Sequence, residues 1–258
     1  MSGRMRIGFL LVLPILLSAR VASAQLSKGE QACEQAAAQA LGKLAISRAK
    51  CVTKCDQLSL KGKTSPSECA PPYSGATLDC LNTASTKAGA SMDKKCSTAC
   101  PACYGADTTC ATFRNTRIAS VTATLDAEYP LVFCNDSGSP DGLTLVEARC
   151  RESAALAATK FASDLAKCYA KCHMLEFKTK IATGSCVPPT PLDAKTADCK
   201  AKAIAKNSAT IAAKCSDPPE CLAAVLPTLV QPLSANLTEN YDSQIFCYFP
   251  SPAFLDQP

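Results

Sequence analysis

Along residues 30–58 the apolar positions recur in steps of mostly three and four. Cys33, Ala37, Ala40, Leu44, Cys51, Cys55 and Leu58 form one stripe. The segment is rich in Ala, Leu, Lys and Gln, all good helix formers, so the spacing predicts a long amphipathic helix with cysteine on its buried face. Residues 150–175 repeat the pattern, with Cys150, Ala154, Ala157, Phe161, Leu165, Cys168, Cys172 and Leu175 on the stripe. A second helix is expected from Asp79 to Cys96, and its counterpart from Asp198 to Cys215. Asp79 and Asp198 would act as N-terminal caps or first-turn acids. A third, shorter helix is expected from Cys110 to Leu125, with a counterpart starting near Cys221.

The likeness of the two stripes reflects an internal repeat. Cys33, Cys51, Cys55 and Cys69 reappear 117 residues on as Cys150, Cys168, Cys172 and Cys186. The segments between them also agree: "AKCVTKCDQLSLKGK" answers "AKCYAKCHMLEFKTK", and "VFC" at 132–134 answers "IFC" at 245–247. So long a period suits two domains better than a solenoid. The expected organisation is all-α, with tandem homologous units at 25–137 and 138–258 joined near the turn-forming "NDSGSPDG". Each unit would be an antiparallel helical hairpin with a shorter helical tail.

Residues 1–24 read as a secretory signal. Arg4 and Arg6 precede the apolar run Ile7–Leu17, and Ala22-Ser23-Ala24 is a small-residue cleavage site. That run is too short to span a bilayer, and no later segment is a better candidate. The expected product is secreted or periplasmic and begins near Gln25. Without the signal, 24 basic residues face 22 acidic ones, so a charge-driven nucleic-acid binder is not expected.

All 18 cysteines follow the signal, and there is no tryptophan. In an oxidising compartment such a count reads as a disulfide framework that supplements a small alanine core. Two cysteines at i and i+4 on one helix cannot bridge each other comfortably, so each must reach another element. Matching helix lengths gives a ladder of Cys33–Cys96 and Cys51–Cys80, with Cys55–Cys69 closing the Pro-rich loop. The second unit gives Cys150–Cys215, Cys168–Cys199 and Cys172–Cys186. Cys110–Cys134 and Cys221–Cys247 would tie the tails, leaving Cys100–Cys103 as a local bridge.

Three stretches admit chemistry. "CYAKCH" places Cys168 and Cys172 before His173, the one histidine in the chain, and resembles a haem-attachment site with one extra residue in the spacer. The repeat favours disulfides there, because the counterpart of His173 is Asp56 while both cysteines recur. Cys100 and Cys103 form a C-x-x-C, the candidate for thiol–disulfide redox chemistry. With Cys96 and Cys110 they could also form a metal or iron–sulfur set, since C-x-x-x-C-x-x-C resembles the cluster motif of radical enzymes. Secretion disfavours that reading, and no cofactor or metal is expected. Lys50, Lys54, Lys61 and Lys63 recur as Lys167, Lys171, Lys178 and Lys180. They could bind an anionic polymer or membrane surface, or simply solvate a helix face.

No hydrolase elbow, P-loop or dinucleotide fingerprint occurs. The preferred reading is a non-enzymatic binding or surface-interaction protein whose partner is a protein, a glycan or a surface. A carrier of apolar small molecules or lipids is the alternative, followed by a redox protein acting through Cys100 and Cys103. Asn135 and Asn236 fit the glycosylation sequon.

Overall fold

A computed structural model describes residues 26–105, 109–133, 144–182, 184–186, 192–223, 226 and 245–247. The expected signal, the expected domain junction, Cys134 and both sequons lie outside the described residues. Among the described residues every regular element is helical. Helix α1 spans Lys28–Ser59, α2 Gly75–Cys96, α3 Ala111–Phe133, α4 Leu145–Phe177, α5 Ala194–Lys214 and α6 Glu220–Ala223. No helix among them is long and apolar enough to cross a membrane.

The two long helices start in the same way. Ser27 caps α1 by accepting from the Glu30 amide, and the Glu30 carboxylate reaches back to the Ser27 amide. Thr144 and Glu147 form the same reciprocal box at the start of α4. The second helices start earlier than their sequences suggest. Helix α2 begins a turn before Asp79, after Ser74, so Asp79 is not its cap. Helix α5 is capped by Asp193 rather than Asp198, through bonds from the amides of Lys195 and Thr196. Asp198 instead pairs with Lys202 one turn on. Helix α3 runs past Leu125 and takes in Pro130, ending with Val132 and Phe133 both buried.

Helix α2 packs along α1, and α5 packs along α4. Each hairpin has the same three staples. Cys33–Cys96, Cys51–Cys80 and Cys55–Cys69 hold the first, with Cα separations of 4.6, 5.8 and 5.4 Å. Cys150–Cys215, Cys168–Cys199 and Cys172–Cys186 hold the second, at 4.6, 5.9 and 5.7 Å. Four are the rungs expected from matched helix lengths, and Cys55–Cys69 and Cys172–Cys186 are the expected loop closures. Cys80 lies inside α2 and is exposed, while Cys96 is buried, so the two rungs use different edges of an unbroken helix.

The tails depart from expectation. Cys100 is bonded to Cys110 and Cys103 to Cys247, so none of Cys100–Cys103, Cys110–Cys134 and Cys221–Cys247 occurs. The reason is a short 3-10 turn at Ala102–Tyr104. It brings Cys100 beside the start of α3 and presents Cys103 to the segment 245–247, which crosses from the second half of the chain onto the first. Cys221 is also disulfide-bonded.

The hairpins meet through α1 and α4, which run antiparallel. Gly42 faces Ser163, Asp56 faces Arg151 and Gln57 faces Glu152, so the residue number falls along α4 as it rises along α1. The seam is lined with small residues, among them Ala38, Ala45 and Ala49 on α1 and Ala155, Ala158 and Ala162 on α4, all buried. A single apolar cluster runs through both hairpins. Helix α3 packs across one side of the assembly, against α1, α2 and α4.

Candidate functional site: a lysine face

The residues singled out for chemistry are held in structural contacts. Cys168 and Cys172 are in disulfides, which leaves no thiol for a haem thioether. Their neighbour His173 is packed in. Its ring stacks on Phe246 with centroids 4.2 Å apart, and Nδ1 lies 3.0 Å from Glu176 Oε2. The other Glu176 oxygen accepts from the Cys186 amide. Cys100 and Cys103 do not form a C-x-x-C bridge, because each is bonded elsewhere. Among the described residues, three cysteine-containing groups have metal-like spacing: Cys33/Cys96/Cys110, Glu34/Cys103/Cys247 and His173/Glu176/Cys186. In all three the sulfurs are disulfide sulfurs, which are not thiolate ligands.

The segment 245–247 is anchored by several bonds. The Tyr104 hydroxyl donates to the Ile245 carbonyl at 2.5 Å, and the Cys247 amide donates to Glu34 Oε1 at 2.8 Å. The Tyr104 ring stacks on Phe113, and burial, together with the Glu34 charge, pushes its phenol well above the usual range. Arg48 on α1 binds Asp126 on α3 at 2.6 Å, and Arg151 on α4 binds Asp56 on α1. Each of these polar groups fastens one element to another.

Exposed chemistry is concentrated elsewhere. From Cys150 to Phe177, the exposed residues of α4 are Lys160, Lys167 and Lys171. From Cys33 to Ser59, those of α1 are Gln39, Lys43, Lys50, Lys54 and Gln57. The central helices are covered on their other sides, and the narrow strip left to solvent carries lysine and no exposed acid. Lys43, Lys50, Lys54 and Lys61 advance by 7, 4 and 7 residues, and so do Lys160, Lys167, Lys171 and Lys178. On a helix those steps return to one azimuth and spread each line over about 27 Å. Lys63 and Lys180 lie just beyond the helix ends and are exposed. Lys43 and Lys160 are absent from the lysine set read from sequence, although the 117-residue period relates them too.

Both lines open on the same side. On α1, Cys33 and Cys51 point to α2, Gly42 and Asp56 to α4, and Arg48 to α3. At 100° per residue Lys50 lies roughly opposite Arg48, away from α3. On α4, Cys150 and Cys168 point to α5 and Ser163 to α1, and the lysines take the sector between them. The face of the hairpin pair opposite α3 therefore holds two antiparallel rows of lysine.

In the observed register the rows interleave. Lys160 falls level with the gap between Lys43 and Lys50, and the combined row is about 45 Å long. Among the described residues, Lys167 alone of the eight row lysines has an ion pair, 2.9 Å from Asp164, which Lys206 of α5 also approaches. Burial raises the Asp164 pKa, but the bond and charge of Lys167, with Lys206, hold it below the usual carboxylate range. No family model, no curated protein and no solved structure matches this chain.

Proposed function

We propose that this is a secreted, non-enzymatic binding protein, made of two tandem copies of a disulfide-stapled hairpin, that docks an anionic partner on its lysine face. The observation that carries this reading is the composition of the solvent strip on α1 and α4, where one residue type recurs at the same steps in both helices. The exposed lysines of the two rows, of which Lys167 alone is paired with an acid among the described residues, raise the local positive potential and steer anions, while the chain beyond its expected signal carries 24 basic and 22 acidic residues. Duplication fits such a role, because a repeated surface gains avidity for a repeated target.

The copies are supported by the 117-residue period and by the matched separations of the staples. Secretion is supported by the signal-like N-terminus and by the density of disulfides, which persist in oxidising compartments. A carrier of apolar molecules would need space between the hairpins. At the middle of the seam Gly42 lies directly against Ser163, which favours a closed interface instead.

Retention of the secreted protein on carboxylate, sulfate, neutral and cationic matrices, with elution by salt, tests the reading. Salt-sensitive retention on the anionic matrices alone is expected. Equal retention on the neutral matrix, or insensitivity to salt, would overturn it.

A further inference from the structure

We infer that the partner is a single extended polyanion, a linear glycan chain bearing sulfate or carboxylate groups, laid along the seam between α1 and α4. The inference rests on the binding reading above and names its ligand class. Three features of the face point to a line rather than a plane or a point.

The lysines run in two adjacent lines along one seam. Two separate patches would result if α1 and α4 diverged, but antiparallel packing at the Gly42–Ser163 contact brings the rows side by side. Their residues alternate from one helix to the other through the centre, Lys167, Lys43, Lys160 and Lys50 in turn. The spacing there is about 5 Å along the axis, widening to about 10 Å at the ends. A flexible polymer with one charge per few ångströms can pair with such a row without bending. A small anion would engage one or two lysines, each worth little at an exposed site.

The face lacks what a membrane needs. Between Cys33 and Ser59 on α1 and between Cys150 and Phe177 on α4 the exposed residues are lysine and glutamine, with no aromatic or aliphatic side chain to insert. The exposed apolar residues Leu145 and Val146 lie at the N-terminus of α4, away from the centre of the row.

The row is also preorganised. Its two backbones are joined by the Asp56–Arg151 pair and the close-packed seam, and each is stapled to its own second helix. Binding therefore orders lysine side chains but no backbone, which reduces the entropic penalty.

The test uses the full secreted chain and size-fractionated heparin oligosaccharides as the polyanion, at physiological ionic strength. Affinity should rise with oligosaccharide length and level off when the chain reaches about the length of the row, roughly 45 Å. Replacing Lys43, Lys50, Lys160 and Lys167 together with Gln should weaken binding by on the order of tenfold or more. The matched change at Lys95, Lys200, Lys202 and Lys214, outside both rows, should leave it within about twofold. All eight are exposed or half-exposed, so neither set threatens the fold, and a non-reducing peptide map verifies each variant.

If the shortest fragments bind as tightly as the longest through the same lysines, the linear mode is overturned and the binding reading stands. If the control set weakens binding as much as the row set, the seam is not the site and the inference fails. Tighter binding to phosphatidylglycerol vesicles than to any oligosaccharide would replace the polymer by a planar surface. Failure to bind any polyanion or anionic vesicle would end both the inference and the proposed function.

Discussion

Arg151 of α4 and Asp56 of α1 are joined across the seam by one guanidinium nitrogen, Nη2, which donates to both carboxylate oxygens at 2.8 and 2.9 Å. Nη1 donates to the Phe133 carbonyl at the end of α3, so one buried side chain ties three helices. Arg151 is 1% exposed and Asp56 5%. Breaking such a pair strands a charge, which typically costs about 3–5 kcal/mol. Arg151→Met should therefore lower the unfolding free energy by that order.

The pH dependence of that loss is a sharper check. Burial raises the Asp56 pKa above 3.8, while the Arg151 charge and hydrogen bond pull it down. An acid with a raised folded pKa binds its proton more readily in the native state, so its contribution to stability falls as pH rises from 3.8 through the folded pKa. Without Arg151 the folded pKa moves higher and the loss grows. The gap between wild type and Arg151→Met should be largest near neutral pH and narrow toward 3.8. A gap independent of pH in urea titrations would show that the pair does not carry the effect.

The seam itself predicts a coupling. A Cβ added to Gly42 would lie 2.9 Å from Ser163 Oγ and 3.2 Å from Ser163 Cα. Alanine is otherwise the better helix residue by about 1 kcal/mol. Overpacking should reverse that sign, and Gly42→Ala should destabilise by about 1–3 kcal/mol. Adding Ser163→Gly makes room, so the double variant should be less destabilised than the sum of the two single changes. Additive losses would mean that the helices do not meet at these residues.

The helices, the two stapled hairpins and most of the lysine row could be read from the chain, because all three depend on local periodicity and on a repeat. The caps of α2 and α5 could not. Asp79 and Asp198 sit where a helix would start if the cysteine marked its beginning, but each helix gains a further turn from the chain leaving the Pro-rich loop. The tail disulfides were also hidden. Helix-length matching pairs cysteines within a unit, and nothing in the spacing announces that Ile245–Cys247 crosses to Tyr104 and Glu34. The common side of the two lysine lines depends on the antiparallel seam, a tertiary contact made mainly by alanine, which has no distinctive sequence pattern.

Asp193 offers a test of the cap that replaces Asp198. Its carboxylate accepts from the Lys195 amide at 3.0 Å, the Thr196 amide at 3.1 Å and the Thr196 hydroxyl. Asp193→Ala should cost about 1 kcal/mol. Asp198→Ala, which removes only an exposed pair with Lys202, should cost less than about 0.5 kcal/mol. The Thr196 hydroxyl and the backbone amides hold the Asp193 carboxyl below its usual range. A lowered acid pKa stabilises above the unfolded value, near 3.8, and the benefit is lost as pH falls through the folded pKa. The difference between wild type and Asp193→Ala should therefore shrink under acid in thermal melts. Equal losses for the two aspartates would place the start of α5 at Asp198 after all.

The disulfide map gives the last prediction. Sixteen of the 18 cysteines are accounted for by eight described bridges, and Cys221 is bonded too. Cys103–Cys247 joins the two halves, the second lending its last cysteine to the first. That bond links the two hairpins covalently and helps to keep the lysine rows in register. Non-reducing digestion and mass spectrometry should find Cys103–Cys247, and no unpaired thiol should react with alkylating agents. Replacing Cys103 and Cys247 together with Ser should increase proteolysis of the C-terminal segment while leaving the six hairpin staples intact. Recovery of Cys221 joined to Cys247 would return the tails to their own halves and remove the covalent lock from the seam.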